Sequence, residues 1–353
     1  MSFKELPHGK INGTLQILKK REVIDMEERT HRRKKKRRLR KWVKIVAGLM
    51  AFLVIAAGSV GAYAYVKLSN ASKQAHIDLN ENGQSVKRIK EFDPKKDSFT
   101  VLLLGIDARD EKGETVDDAR SDANVLVTFN RKNKTATMLS IPRDSYVNIP
   151  GYGYDKFTHA HAYGGVKLTA KTVEDLLDIP VDYVVESNFD AFKDVVDELN
   201  GVSVDVKSEK VAKQIKKDTK GKVILKTGVQ TLDGEEALAY VRTRKADTDF
   251  QRGQRQMEVL NAIMTKSKSL SSIPAYDDIV DSLGKNLKMN LSLNDAIGLF
   301  PFITSLKSVD SEQLTGSDMY QYSSREGKKL YYLRLDDEKL EEVKTELKNA
   351  LNN

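Results

Sequence analysis

The chain has 353 residues, enough for one large domain or two ordinary ones, and no cysteine, which excludes disulfides, thiolate nucleophiles and cysteine-ligated zinc. Its net charge is +8, yet residues 32–41, RRKKKRRLRK, carry nine positive charges, so the remainder sums to −1. The basic character is local, which argues against a nucleic-acid partner bound over a folded face.

Residues 1–30 are polar and weakly patterned; Leu15, Leu18, Val23 and Met26 would line a short helix at best. After the basic run, Trp42–Val66 reads WVKIVAGLMAFLVIAAGSVGAYAYV, with Lys44 its one charge. A helix over Ile45–Val66 would rise ~33 Å, matching a hydrocarbon core of ~30 Å. A cleaved signal peptide also needs a basic segment and an apolar core, but this run is too long for one and starts at residue 42, so a retained anchor is expected. The flanking lysines and arginines hold residues 1–41 in the cytoplasm and send the rest outward, with affinity for anionic membrane lipid. Residues 67–97, broken by Asn82-Gly83 and Asp93-Pro94, read as a stalk.

The domain is expected from residue 98, with residues 311–353 completing it. FTVLLLGIDAR, ANVLVTFN and TATMLSIPRD are three apolar, β-rich runs, each ending where charge begins. Asp107, Arg109, Arg120, Asp122, Arg143 and Asp144 therefore fall at strand ends or in the loops between them, where α/β folds keep their chemistry. Carboxylates beside arginines suit Mg²⁺ beside phosphate, because carboxylate oxygens match the hard ion and the guanidinium fork matches the anion. IPRD fits a type I turn with Pro142 in its second position. GYGYDKFTHAHAYGG reads as a loop, and Val166, Ala170, Val173 and Leu177 then predict a helix over 166–177. Strands at 181–188 and 202–206 enclose a short helix at 189–199, an alternation that predicts an α/β layered domain.

A second charged hub follows. Asp233-Gly234 starts a helix that ends near Arg242–Arg244, and Asp249 is the expected N-cap of the next, on which Arg252 and Gln256 share a face with Arg255 beside them. Helices are expected at 272–284 and 292–306, a strand pair near 312–333, and a last helix over Asp336–Leu351.

GIDAR, ARSD, SIPRD, KFTHAHAYGG and DGEEALAYVRTR followed by DTDFQRGQRQ resemble, in that order, the motifs of the LytR-CpsA-Psr family. The resemblance covers about residues 95–310 and extends to the short tail and single anchor. It implies a three-layer α/β/α domain with a central mixed sheet, preceded by a single N-terminal transmembrane helix. It further implies an extracellular enzyme of a Gram-positive bacterium that moves a glycopolymer such as wall teichoic acid from a polyprenyl-pyrophosphate carrier to peptidoglycan, using Mg²⁺. Carried over by motif, Asp107 and Asp122 would hold the metal, and Arg143, Arg242, Arg244, Arg252 and Gln256 would clamp the pyrophosphate. Arg109, Arg120, Lys156 and Asp249 match positions near the site, Asp249 is a candidate base, and Arg255, beside Arg252 on the helix, is a further candidate for substrate binding. The chain departs from the pattern at Met257, where a second glutamine is common, and in a long loop between Asp107 and Asp122.

Each of these residues also has a plain structural reading. Asp107 and Asp122 could merely start and cap a loop, and Arg252, Arg255 and Glu258 could be a solvated helix face. Tyr152, Tyr154 and Tyr163 could stack on sugars or simply pack, while His159 and His161 are expected in loop or core rather than on a metal. Two other functions fit the same residues: hydrolysis of the carrier pyrophosphate, and a non-catalytic membrane-anchored regulator. Against direct DNA control, the first 41 residues contain no helix-turn-helix.

Overall fold

The structure is a computed structural model that describes residues 20–21, 70, 73, 75–79, 84–106, 120–268, 286–323, 325 and 327–352. The expected membrane helix at 42–66, the basic run, Asp107, Arg109 and the helix expected at 272–284 lie outside the described residues. Among the described residues no helix is long and apolar enough to cross a membrane.

In chain order the elements are β1 (Phe99–Ile106), β2 (Ser121–Asn130), β3 (Thr135–Ser140), β4 (Tyr146–Ile149), β5 (Gly153–Lys156), α1 (Phe157–Leu177), β6 (Tyr183–Ser187), α2 (Phe189–Glu198), β7 (Val202–Val206), α3 (Glu209–Asp218), β8 (Gly228–Leu232), α4 (Gly234–Arg242), α5 (Asp249–Lys268), β9 (Leu287–Met289), α6 (Leu293–Thr304), β10 (Ser308–Gln313), β11 (Gly316–Ser323), β12 (Lys328–Leu335) and α7 (Asp337–Asn352). A mixed six-stranded sheet, ordered β10-β3-β2-β1-β6-β9, forms the centre. Side chains alternate across it with the two-residue period of a strand. Leu102 and Leu104 of β1, with Leu126 and Leu139, pack against Val173 and Leu177 of α1 and Val343 and Leu347 of α7. Phe99, Val125, Val127 and Met138 pack on the opposite face against Met257 of α5 and Leu299 and Phe302 of α6. Helices thus cover both faces. A smaller cluster joins β7, α3, β8 and α4 to the outer side of α5 through Val204, Ile215, Leu232, Tyr240 and Val259.

Two sequence expectations are corrected. Residues 84–97 are no stalk: Arg88 donates to the buried Asp182 carboxylate at 2.6 and 2.8 Å, Lys87 pairs with Asp178 at 2.7 Å, and the Ser85 hydroxyl bonds Glu174. Charges that look like a solvated linker find their partners 91 and 94 residues along the chain. The glycine- and tyrosine-rich segment is not a loop but the β4–β5 hairpin followed by α1 from Phe157. Lys156 gives α1 no side-chain cap; instead the Phe157 and Thr158 N–H groups donate to the Ser145 and Arg143 carbonyls at 2.9 and 3.0 Å. The helix bends at Gly164-Gly165, where Gly165 has φ 60 and ψ −153, a region open essentially to glycine alone. β10 spans residue 310 and pairs parallel to β3 in the central sheet.

β11 and β12 form an antiparallel hairpin in which Gly316 opposes Leu335. A Cβ on Gly316 would collide with the Arg334 carbonyl. Gly316→Ala is therefore expected to cost about 2 kcal/mol and lower the thermal midpoint by about 5 °C. An unchanged melting curve would show that the hairpin shifts to accept it.

Candidate active site

Four of the six strands, β10, β3, β1 and β6, point the same way, so their carboxyl ends share one edge of the sheet. A cleft of about 320 Å³ opens there, between the turn after β3, the first two turns of α5 and the β11–β12 hairpin.

The turn after β3 carries Arg143 and Asp144. It closes through the Ser145 N–H donating to the Pro142 carbonyl at 3.1 Å, so Pro142 stands first in the turn, one place earlier than expected. The Ile141 carbonyl, which the expected turn would use, instead accepts from the Asn124 amide at 3.4 Å. Arg143 and Asp144 consequently occupy the two central positions. Arg143 Nη1 lies 2.5 Å from Asp122 Oδ1, and its Nε lies 3.4 Å from Asp144 Oδ2. Burial disfavours the Arg143 charge, but Asp122, Asp144 and Asp249 outweigh it and raise its pKa.

Asp144 is held from behind by Lys156 Nζ at 2.6 Å. Burial pushes its carboxyl up, yet the Lys156 hydrogen bond and the charges of Arg143 and Lys156 bring it below the usual carboxylate range. A depressed carboxyl contributes stability above its unfolded pKa of about 3.9 and loses it as pH falls through the folded value. Lys156→Met is therefore expected to cost about 2 kcal/mol at pH 7, and the difference from wild type should shrink below about pH 4. Urea unfolding at pH 7 and pH 3 measures it; a pH-independent difference would mean that Lys156 acts by packing alone.

On the other wall, α5 begins with Thr248 rather than Asp249 as its cap: Thr248 Oγ1 accepts from the Gln251 N–H at 3.3 Å, and Gln251 Oε1 accepts from the Thr248 N–H at 3.1 Å. This reciprocal box leaves the Asp249 carboxylate for side chains. It pairs with Arg252 at 2.9 Å and faces Arg244 at 3.8 Å. Arg252 is 7 % exposed at its side chain. Burial lowers its pKa and the like charges of Arg244 and Arg143 lower it further, against Asp249. Gln256, one turn on, lines the same cleft.

The structure thus brings Asp122, Arg143, Asp249, Arg252 and Gln256 together as cleft lining, with Arg244 reaching in through Asp249 and Lys156 behind Asp144. It does not bring Arg255, which donates to the Tyr240 and Thr243 carbonyls at 3.0 and 2.6 Å and pairs with Asp247. Its guanidinium ties the α4–α5 connection together. Arg242 is exposed beside the start of α2, its guanidinium 4.1 Å from the centre of the Phe189 ring. Arg120 is exposed just before β2. His159 and His161 are buried against Asp155 and Glu186 at 3.0 and 2.7 Å, and Tyr163 packs on Tyr152 and donates to Asp155 at 2.6 Å.

Seven lining residues come from 313–333, where no site residue was expected; Gln313, Asp318 and Tyr331 bring it polar side chains. The Tyr331 hydroxyl donates to Asp318 Oδ1 at 3.0 Å; burial and that carboxylate push its pKa up to about 12. Gln313 is 8 % exposed, and among the described residues its Oε1 has no partner. No cluster or motif marks these residues in the sequence. The alternation of Asp318, Tyr320 and Tyr322 is the signal that places such side chains on one strand face.

Comparison with known proteins follows the same lines. Residues 62–349 match the LytR_cpsA_psr family. Over 326 residues, 92% of this chain and 99% of the relative, the chain is 78% identical to the polyisoprenyl-teichoic acid–peptidoglycan teichoic acid transferase TagT of Bacillus subtilis. It is 36% identical to TagU of the same species over 331 residues, 92% of this chain and 99% of that one. Among solved structures, TagT bound to LIIa-WTA superposes with a TM-score of 0.70 at 70% identity, covering 79% of this chain and 100% of that one. A family protein with bound octaprenyl pyrophosphate lipid gives 0.66 at 66% identity with the same coverage. A match over most of its length and relatives this similar leave one assignment: the chain belongs to the LytR-CpsA-Psr family.

Proposed function

We propose that this chain transfers a phosphate-linked glycopolymer of the wall teichoic acid type from a polyprenyl-pyrophosphate carrier to a hydroxyl of peptidoglycan, releasing polyprenyl phosphate. The observation that carries this reading is the meeting of Arg143, Arg252 and Gln256 in one cleft, with Arg244 at its side, in a chain 78% identical to a transferase of that name. Phosphoryl transfer needs positioning and charge stabilisation more than covalent help, and guanidinium forks supply both to phosphate oxygens. Beside the cleft, β1 is a central strand, yet Val101 and Leu103 on its α5–α6 face are only half-buried. With the half-buried Leu260, Met264 and Ile303 they form an apolar wall suited to a prenyl chain.

In this reading the acceptor hydroxyl attacks the phosphorus that bears the polymer, the bond to the prenyl phosphate oxygen breaks, and Asp249 takes the proton. Arg143, Arg244, Arg252 and Gln256 hold the phosphate oxygens, with Arg242 and Arg120 further out and Arg109 assigned to the substrate by its motif. Asp122, with Asp107, would hold Mg²⁺. The donor chemistry fits: carboxylate oxygens suit the ion, which commonly takes one or two of them and completes its shell with water and phosphate. Asp122 and Arg143 also neutralise each other at 2.5 Å, so an anion drawn to Arg143 calls for a cation at Asp122. Bound there, Mg²⁺ would add Lewis-acid stabilisation of the pyrophosphate oxygens.

The same proposal includes a retained membrane helix at 42–66 with the basic tail in the cytoplasm and the domain outside the cell. The apolar composition of that run and the basic residues before it support this topology. The test is a transfer assay with prenyl-pyrophosphate-linked polymer and glycan strands. Polymer on the glycan with release of prenyl phosphate is expected. Free polymer alone, whether or not glycan is added, would make the chain a hydrolase, and no turnover of the carrier would overturn both readings.

A further inference from the structure

The β11–β12 hairpin has a face that the reaction just described does not use. Strand pairing opposes Asp318 to Leu333, Tyr320 to Tyr331 and Tyr322 to Lys329. Because side chains alternate, Asp318, Tyr320 and Tyr322 share one face with their partners Leu333, Tyr331 and Lys329. The inner end of that face, Asp318, Tyr331 and Leu333, lines the cleft. Its outer end leaves the cleft with Tyr320 and Tyr322 exposed at 63 % and 65 %, and Tyr320 packs edge-on against Tyr331 with ring centres 5.6 Å apart. One strand face thus carries Tyr331 at the reacting edge, Tyr320 packed on it, and Tyr322 two residues further along at the surface. On the other strand face, Tyr332 is buried beside Tyr146.

We propose that this face is where the acceptor glycan strand lies while one of its hydroxyls enters the cleft; the proposal rests on the transfer reaction above. Two features select a saccharide. The flat face of an aromatic ring carries negative charge density, which attracts the polarised C–H groups on the face of a pyranose. Where this face reaches the cleft, Gln313 Oε1 is a buried acceptor with no partner among the described residues, fit to receive a hydroxyl proton donor. A third feature selects the acceptor over the sugars of the donor. Attacking and leaving oxygens stand roughly in line through the phosphorus, so the acceptor enters opposite the leaving prenyl phosphate. The half-open apolar wall belongs to the α5–α6 face of the sheet, whereas Leu333 and Leu335 of the hairpin pack with the α1–α7 face. The hairpin therefore stands across the cleft from the wall that suits the prenyl chain.

The experiment compares the full-length chain with Tyr320→Ala/Tyr322→Ala in detergent, using uncrosslinked peptidoglycan glycan strands as acceptor. The expected result is a KM for the strands raised about tenfold with kcat little changed, and no change in the slow release of polymer to water when strands are absent. Tyr320→Trp/Tyr322→Trp should restore the KM. Tyr154→Ala removes another tyrosine, 65 % exposed on the neighbouring hairpin and stacked on Tyr146 rather than on this face, and should leave the KM as it was. An unchanged KM in the double variant overturns the proposal. An equal loss in the water reaction also overturns it, since the face would then hold the donor. Should the wild-type chain transfer nothing, titration of the same strands against both proteins still decides: equal affinities reject the surface, and weaker binding by the variant supports it independently of the reaction.

Discussion

Arg143→Ala is expected to lower transfer by about a thousandfold while changing the unfolding free energy by less than about 1 kcal/mol. The two effects separate because of where the side chain stands. Its guanidinium is 22 % exposed and its partner Asp122 is 32 % exposed, so the pair is solvated enough that losing it costs little folding stability. A phosphate in the cleft would meet a different situation, with Arg143 presented between two carboxylates at the tip of a turn that α1 holds by its first N–H groups. Arg143→Lys keeps the charge but loses the planar fork, and should recover only a small part of the rate. Single-turnover transfer and urea unfolding of the same preparations measure both. Transfer within about tenfold of wild type in the alanine variant would remove Arg143 from the reaction.

Arg255→Met is expected to behave in the opposite way, although the residue stands three positions from Arg252 on the same helix. It should cost about 3–5 kcal/mol of stability and lower the thermal midpoint by roughly 10 °C. The side chain is 7 % exposed and satisfies the carbonyls of Tyr240 and Thr243 together with the Asp247 carboxylate. Removing it strands a charge that is itself only 11 % exposed, and a buried unpaired charge is the costly case. At a temperature where the variant is folded, its KM for the donor should stay within a few-fold of wild type. Full stability with lost donor binding would return Arg255 to the phosphate.

The contrast shows how far charge patterning can be read from sequence. Spacing puts Arg252 and Gln256 on one helix face, and the cleft uses both. It says nothing about which arginine finds carbonyls of the preceding connection, because those acceptors are supplied by the fold of α4 into α5. Asp249 illustrates the same limit. A local reading makes it the helix cap, but Thr248 with Gln251 forms a complete box one residue earlier and frees the aspartate to meet Arg252 and Arg244. At KFTHAHAYGG the local signals mislead outright: no side chain caps α1, since backbone carbonyls from the turn after β3 do that work.

Sequence by itself determined the alternation of strands and helices, the two charged hubs, the family motifs and the expectation of an apolar anchor before the domain, since periodicity, charge and composition are local properties. Only the tertiary structure decided that residues 84–97 belong to the domain through Arg88 and Asp182, that Arg255 is structural, and that Gln313, Asp318 and Tyr331 close the cleft. The physical reason is common to all three. Each depends on groups that the packing of whole elements brings together, and whether a charge is solvated, buried or aimed into a cleft is settled by that packing rather than by spacing in the sequence.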